Sequence, residues 1–326
     1  MTKPREARIA SWEQVHARLD ALPPLPGTRS GRRALLAVLA VAVLCVLLGL
    51  GWLLLGRASG LRLHVAPGDL GRQLREARAY LQEHPGGRAM LDLQAGDHPG
   101  PLVIEAPGEG LVVAAVSAGV RVVSVGDGAL VTVGPGAQGA VLSGLLLCGP
   151  GAGSGTGVVV EAGADLTLRG CRLDGFQTGI VAAGRLTAEG LRVSRCRRGL
   201  VLRTSAEAHL ADGVLSVSGQ AIAGDGAIVR LERMRLRATE SAGPGPLVEL
   251  RGGQAILATV AVEAFGCSHA LSFNDQTWCE LREVSLADAA IGIETTHLDL
   301  VRGLVIDAGS TGLVWVGPTA GAPAWE

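Results

Sequence analysis

One short phrase, a small residue followed by an apolar alternation, recurs through the second half of this chain and limits the folds open to it. It reads GVVVEA from Gly157, GIVAAG from Gly179, GLVLRT from Gly199 and AIAGDG from Ala221. It continues as PLVELR from Pro246, ALSFND from Ala270, AIGIET from Ala290 and GLVWVG from Gly312. The starts fall about 20 to 25 residues apart, a period of solenoids rather than of closed globular folds. In the coil that opens at Gly157, two-residue alternation turns Val158 and Val160 inward from a first strand, Leu166 and Leu168 from a second, and Cys171 and Leu173 from a third. The second and third strands align one coil on as Leu186, Ala188, Leu191 and Val193. Further along they align as Val229, Leu231, Met234 and Leu236, then as Cys279, Leu281, Val284 and Leu286. Same-phase apolar residues stacked at about 4.8 Å make continuous internal rows. The pattern predicts an all-β parallel β-helix over 90–326.

Ala34 to Gly56 is an uncharged apolar run. At about 1.5 Å per residue it is long enough to cross a hydrocarbon core of roughly 30 Å. Before it stand Lys3, Arg5, Arg8, Arg18, Arg29, Arg32 and Arg33 against Glu6, Glu13 and Asp20; just after it come only Arg57 and Arg62. The positive-inside bias then places the N-terminus in the cytoplasm and the repeats outside, which in a Gram-negative cell is the periplasm. The expected organisation is a cytoplasmic segment 1–33, an inner-membrane span 34–56, a juxtamembrane linker and capping helix over 57–89, and the β-helix 90–326. A cleaved signal peptide is the rival reading of the apolar run. The capping helix is read from Gly68 to His84, where Leu70, Leu74, Ala77 and Leu81 share one stripe before Pro85.

The run LDLQAGDHPGPLVIEAPG from Leu91 to Gly108, the helix before it and the coil phrases together resemble the pectate-lyase-like right-handed β-helix superfamily. They resemble in particular its carbohydrate-binding and sugar-hydrolase type repeats in exported bacterial proteins. The resemblance covers about 90 to 326 and implies a fold more than an activity. Polygalacturonase-like members carry an Asn-Thr-Asp run, an Asp-Asp pair and a Gly-His-Gly turn, and none of these strings is present. The clustered aspartates and arginine base of pectate-lyase-like members have no counterpart here. Thr296-His297-Leu298-Asp299 departs from the Asp-Pro-His-Asp of alginate-epimerase-like members.

The residues themselves point to surface chemistry rather than catalysis. Lysine, tyrosine and asparagine each occur once, as Lys3, Tyr80 and Asn274, so no exported lysine is available as a base. The net charge of −1 exerts no global pull on nucleic acid. An outward column is read as Glu161, Ala183, Arg203, Asp225, Arg251, Asn274 and Glu294, with near-alternating signs. That suits surface ion pairs worth under about 1 kcal/mol each. Asp225 and Glu294 would lie three coils apart, about 14 Å, outside the roughly 5 to 9.5 Å of a glycosidase acid–base pair. From Asp165 to Arg237 there are twelve arginines against seven acids, and after Arg237 three against eleven. Arg195, Arg197 and Arg198 belong to a patch that could take an anionic polymer or headgroup, and within it Arg169, Arg172, Arg192 and Arg235 are the four candidate binding residues. Trp278, with His269, Asn274 and Asp275 near it in sequence and Glu294 beyond, is a candidate sugar-contact region. The exported histidines fall at different coil phases and read as surface residues, not metal ligands. The exported cysteines imply no disulfide ladder, with one bridge among Cys148, Cys196 and Cys267 left open. No cofactor is expected. The leading expectation is a membrane-anchored, non-catalytic envelope scaffold that binds a polysaccharide, another anionic ligand or an envelope protein. The alternatives are a polysaccharide-active lyase, hydrolase or epimerase with an atypical site, and an accessory to periplasmic assembly or metal maturation.

Overall fold

Each turn of the chain lays down three short strands, and every strand pairs in parallel with its counterpart one coil away. The computed structural model describes residues 60–105, 110–151, 153–239, 245–274, 277–295, 300–302, 304–306 and 313–315. The segments 1–33 and 34–56, and Asp275, His297 and Trp325, lie outside them. Among the described residues no helix is long and apolar enough to cross a membrane. The fold is an all-β parallel solenoid of about 9 turns.

Its three faces are named here by the coil at Gly157. Face one holds Thr156–Val160, face two Asp165–Arg169 and face three Arg172–Asp174. One coil on they continue as Thr178–Ala182, Arg185–Glu189 and Arg192–Cys196. The inward rows lie where the alternation puts them. Val158, Leu166, Leu168, Cys171 and Leu173 are fully buried, and so are Leu186, Val229, Leu231, Cys279, Leu281 and Leu286. Phe176 and Phe273 are the largest buried side chains.

The small residue that opens the phrase has a steric cause. A Cβ on Gly157 would sit 2.5 Å from the Gly179 carbonyl oxygen, and one on Gly179 2.7 Å from that of Gly199. Backbones of successive coils approach too closely there for a side chain. In later coils the same position passes to Ala221, Leu247, Ala270 and Gly292. The phrase therefore begins at Leu247 and Gly292, not at Pro246 and Ala290.

The corner between faces two and three is turned by a single left-handed residue in coil after coil. Gly144, Gly170 and Gly190 have φ of 67°, 58° and 65°, and Asp212, Arg233, Thr259 and Glu283 follow at 55°, 51°, 56° and 52°. Where glycine gives way, side chains link the corner residues to one another. Arg233 donates to both carboxylate oxygens of Asp212 at 2.6 and 2.8 Å, and Thr259 donates to Glu283 at 3.0 Å. In these coils strands also run on around corners, as in Ile222–Glu232, Pro246–Glu263 and Trp278–Ala287.

At the other end, helix Leu70–Glu83 packs on strands Gly60–Val65 and Arg88–Leu93 through Leu70, Ala77 and Leu81. The segment read as linker plus helix thus also contains a strand, paired along Gly60–Val65 with Arg88–Leu93.

Candidate functional site

Face three gathers three of the four candidate arginines. Leu146, Arg172, Arg192, Val214 and Arg235 occupy one outward position in successive coils. Arg172 and Arg192 are therefore direct neighbours about 4.8 Å apart along the axis. Both are exposed, and among the described residues neither has a carboxylate within 4.0 Å. Arg235 stands beyond Val214, with Glu263 at 3.8 Å, and shares that carboxylate with Arg237 at 3.3 Å. Arg169 is not part of this column. It ends the strand of face two, across the corner, level with Glu189.

Beside the column the chain builds a device with no sequence signature. Strand Arg192–Cys196 carries one residue more than its neighbour Val214–Val217, and the irregularity falls between Val193 and Cys196. This bulge places Arg195 at φ 51° and swings it back over the previous coil. There its Nε donates to Asp174 Oδ1 at 2.7 Å, its Nη2 to the other oxygen, and Ser194 Oγ adds a bond at 2.9 Å. Asp174 is 8% exposed. Arg195 foremost, and then Ser194, hold its carboxyl below the usual carboxylate range. Asp174 thus stays ionised and occupied by Arg195, while Arg172 and Arg192 remain open to an external anion.

Face one holds the acidic candidate, in a different column from the one read in sequence. Phe273 pairs with Thr295 and Ser272 with Glu294, so Glu294 follows Val201, Ala223, Glu249 and Ser272. The outward column through Arg203, Asp225, Arg251 and Asn274 does not contain it. The small residues at 290 and 292 make a two-residue slip invisible in sequence. Its consequence is chemical. Ser272 Oγ donates to Glu294 at 3.1 Å and accepts from Asn274 Nδ2 at 3.0 Å. His269 Nε2 lies 3.4 Å from Glu294, and its Nδ1 lies 2.8 Å from Ser268 Oγ. Asn274, Glu294 and His269 are thus brought together, and Trp278 is not: it starts a strand of face two, level with Gln254. One coil before Ser272, Glu249 takes Arg251 at 2.6 Å and Gln220 at 2.9 Å. A groove of ≈ 440 Å³ lies there, with Val201 and Ala223 in its floor and Arg198, Arg203, Asp225, Glu249 and Arg251 around it.

The expected cross-coil ion pairing of the outward column holds poorly. Arg251 grips Glu249 on its own strand, and Arg203 and Glu161 form no ion pair among the described residues. One further expectation changes. His98 is fully buried, with Nε2 against the Gln94 carbonyl at 2.8 Å and Nδ1 without a partner, so it is no surface histidine. Cys148, Cys171, Cys196, Cys267 and Cys279 form no disulfide with one another. Burial pushes Cys171, Cys196 and Cys267 up, away from the reactive thiolate. No group of three or more His, Cys, Asp or Glu among the described residues could hold a metal ion.

No protein-family model matches the chain, and no curated protein matches it.

Proposed function

We propose that the protein is a membrane-tethered, exported β-helix of the right-handed pectate-lyase-like kind, with helix Leu70–Glu83 capping its first coil. Its work is non-catalytic: face three presents guanidinium groups to an anionic envelope ligand, and a polysaccharide with charges spaced along its length suits it best. One observation carries this reading. Arg172 and Arg192 stand in register one coil apart, exposed, and among the described residues neither has a carboxylate within 4.0 Å, Asp174 near Arg172 being held by Arg195. Guanidinium groups spaced at about 4.8 Å give a linear polyanion one contact per coil. The test is binding of a polyuronate and of a neutral glucan by the purified full-length protein. The reading expects polyuronate binding alone, weakened at least about tenfold by Arg172→Ser with Arg192→Ser and little by Arg169→Ser. Equal binding of the two polymers would remove it.

A second reading, a polysaccharide-active enzyme, is favoured by the register of face one. Glu249 and Glu294 share a column two coils apart. That is about 9.6 Å, at the upper edge of the inverting-glycosidase range. Glycan cleavage lost in both Glu249→Gln and Glu294→Gln would promote this reading over the first.

A further inference from the structure

We propose that face one is the contact surface of a symmetric homodimer whose two-fold axis lies along strand Thr178–Ala182. The central outward column of this face is Thr132, Val159, Val181, Val201 and Ala223 in successive coils, without a charge. Each of these side chains is partly exposed, so the face offers water an uncharged, mostly β-branched stripe that reaches the groove at Val201 and Ala223. Beside it the next outward column reads Glu161, Ala183 and Arg203, carried in step by the backbone bonds from Ala183 N to Val160 O and from Arg203 N to Ala182 O. Opposite charges therefore stand one coil either side of Ala183. Both are exposed, and neither has an ion-pair partner within the described chain.

A second copy satisfies them. A two-fold axis along the central strand reverses the order of coils and keeps positions along the strands. Val181 then meets its own copy, Val159 meets Val201, and Glu161 faces Arg203 twice. Other placements fail on charge. Moving the axis to the strand of Val201 sets Arg203 against itself, and moving it to the strand of Val159 sets Glu161 against itself. An axis parallel to the solenoid through the same column sets Arg203 against Gly199 and Glu161 against Gly157, and gives neither charge a partner. Like charges in the two shifted contacts are repelled, so the charges select one symmetry out of the set. The arginine column of face three takes no part, and failure of either proposal leaves the other standing.

Sheets packed face to face lie about 10 Å apart, so Ala183 sits opposite its own copy within reach of a short bis-maleimide. The experiment treats full-length Ala183→Cys protein in detergent with that reagent, with the unaltered protein as the background for native thiols. The proposal expects a covalent dimer above that background. Glu161→Arg added to Ala183→Cys should cut its yield at least about fivefold through like-charge contact, and Arg203→Glu added in turn should restore it. A monomeric Ala183→Cys protein would overturn the proposal, and so would a reversed pair that stays at the level of the single reversal.

Discussion

Gly179 shows at the smallest scale how one coil constrains the next. A Cβ there would stand 2.7 Å from the Gly199 carbonyl oxygen and 3.2 Å from a methyl of Val193. Gly179→Val should therefore lower stability by about 1 to 3 kcal/mol through forced separation of two coils, read as a fall in denaturation midpoint. The inward rows give the complementary case. Leu231 is fully buried, and Leu231→Asp places an unpaired carboxylate among apolar rows, a loss of several kcal/mol on the order of a buried-charge penalty. Glu189, exposed on the outer side of face two, should tolerate alanine within about 0.5 kcal/mol. Equal midpoints for Leu231→Asp and Glu189→Ala would contradict the register. Asp174 supplies a pH signature. Arg195 and Ser194 hold its carboxyl below the ordinary range, so its contribution is present in full above about pH 4 and disappears as pH falls through the depressed value. The stability gap between the native protein and Asp174→Asn should be constant near neutrality and close in acid. A gap that widens on acidification has the wrong sign for this account.

At the scale of strands and corners, what could be read from sequence follows from what two-residue alternation encodes. Val158, Leu166, Leu173 and their successors are legible because a buried face needs apolar side chains at every second residue. The strand register of Glu294 was not, because Ala290 and Gly292 are both small enough to open the phrase. The bulge at Ser194 and Arg195 was hidden for a related reason: an inserted polar residue on an outer face breaks no apolar row. The same holds for the left-handed corner. Glycine announces it at Gly170 and Gly190, but Asp212, Arg233, Thr259 and Glu283 adopt it without any glycine signal. Such positions cost a non-glycine residue of order 1 kcal/mol, and the bonds between neighbours offset part of it. Asp212→Gly relieves its own backbone and leaves Arg233 only the Glu232 carboxylate at 3.7 Å, so its stability should stay within about 1 kcal/mol of native. Gly190→Val adds a β-branched side chain at positive φ with no such bond and should cost more. The order of the two melting temperatures checks this.

At the scale of the whole molecule, the proposed anchor lies outside the described residues, and charge is unevenly placed along the chain. If the apolar run 34–56 spans the inner membrane, a C-terminal alkaline-phosphatase fusion should be active and a cytoplasmic reporter at the same position dark. The reverse result would move the β-helix to the other compartment and remove envelope ligands from consideration. The central claim, that the Arg172 and Arg192 guanidinium groups one coil apart, with Arg235 beyond Val214, form a binding track, is tested most directly by affinity for polyuronate oligomers of increasing length at two salt concentrations. From Arg172 to Arg235 the track spans three coil rises, about 14 Å. Affinity should climb with oligomer length until that span is covered, then level off, and fall with salt less steeply once Arg192 is replaced by serine. Affinity that is independent of length, or a salt dependence unchanged in Arg192→Ser, would contradict it.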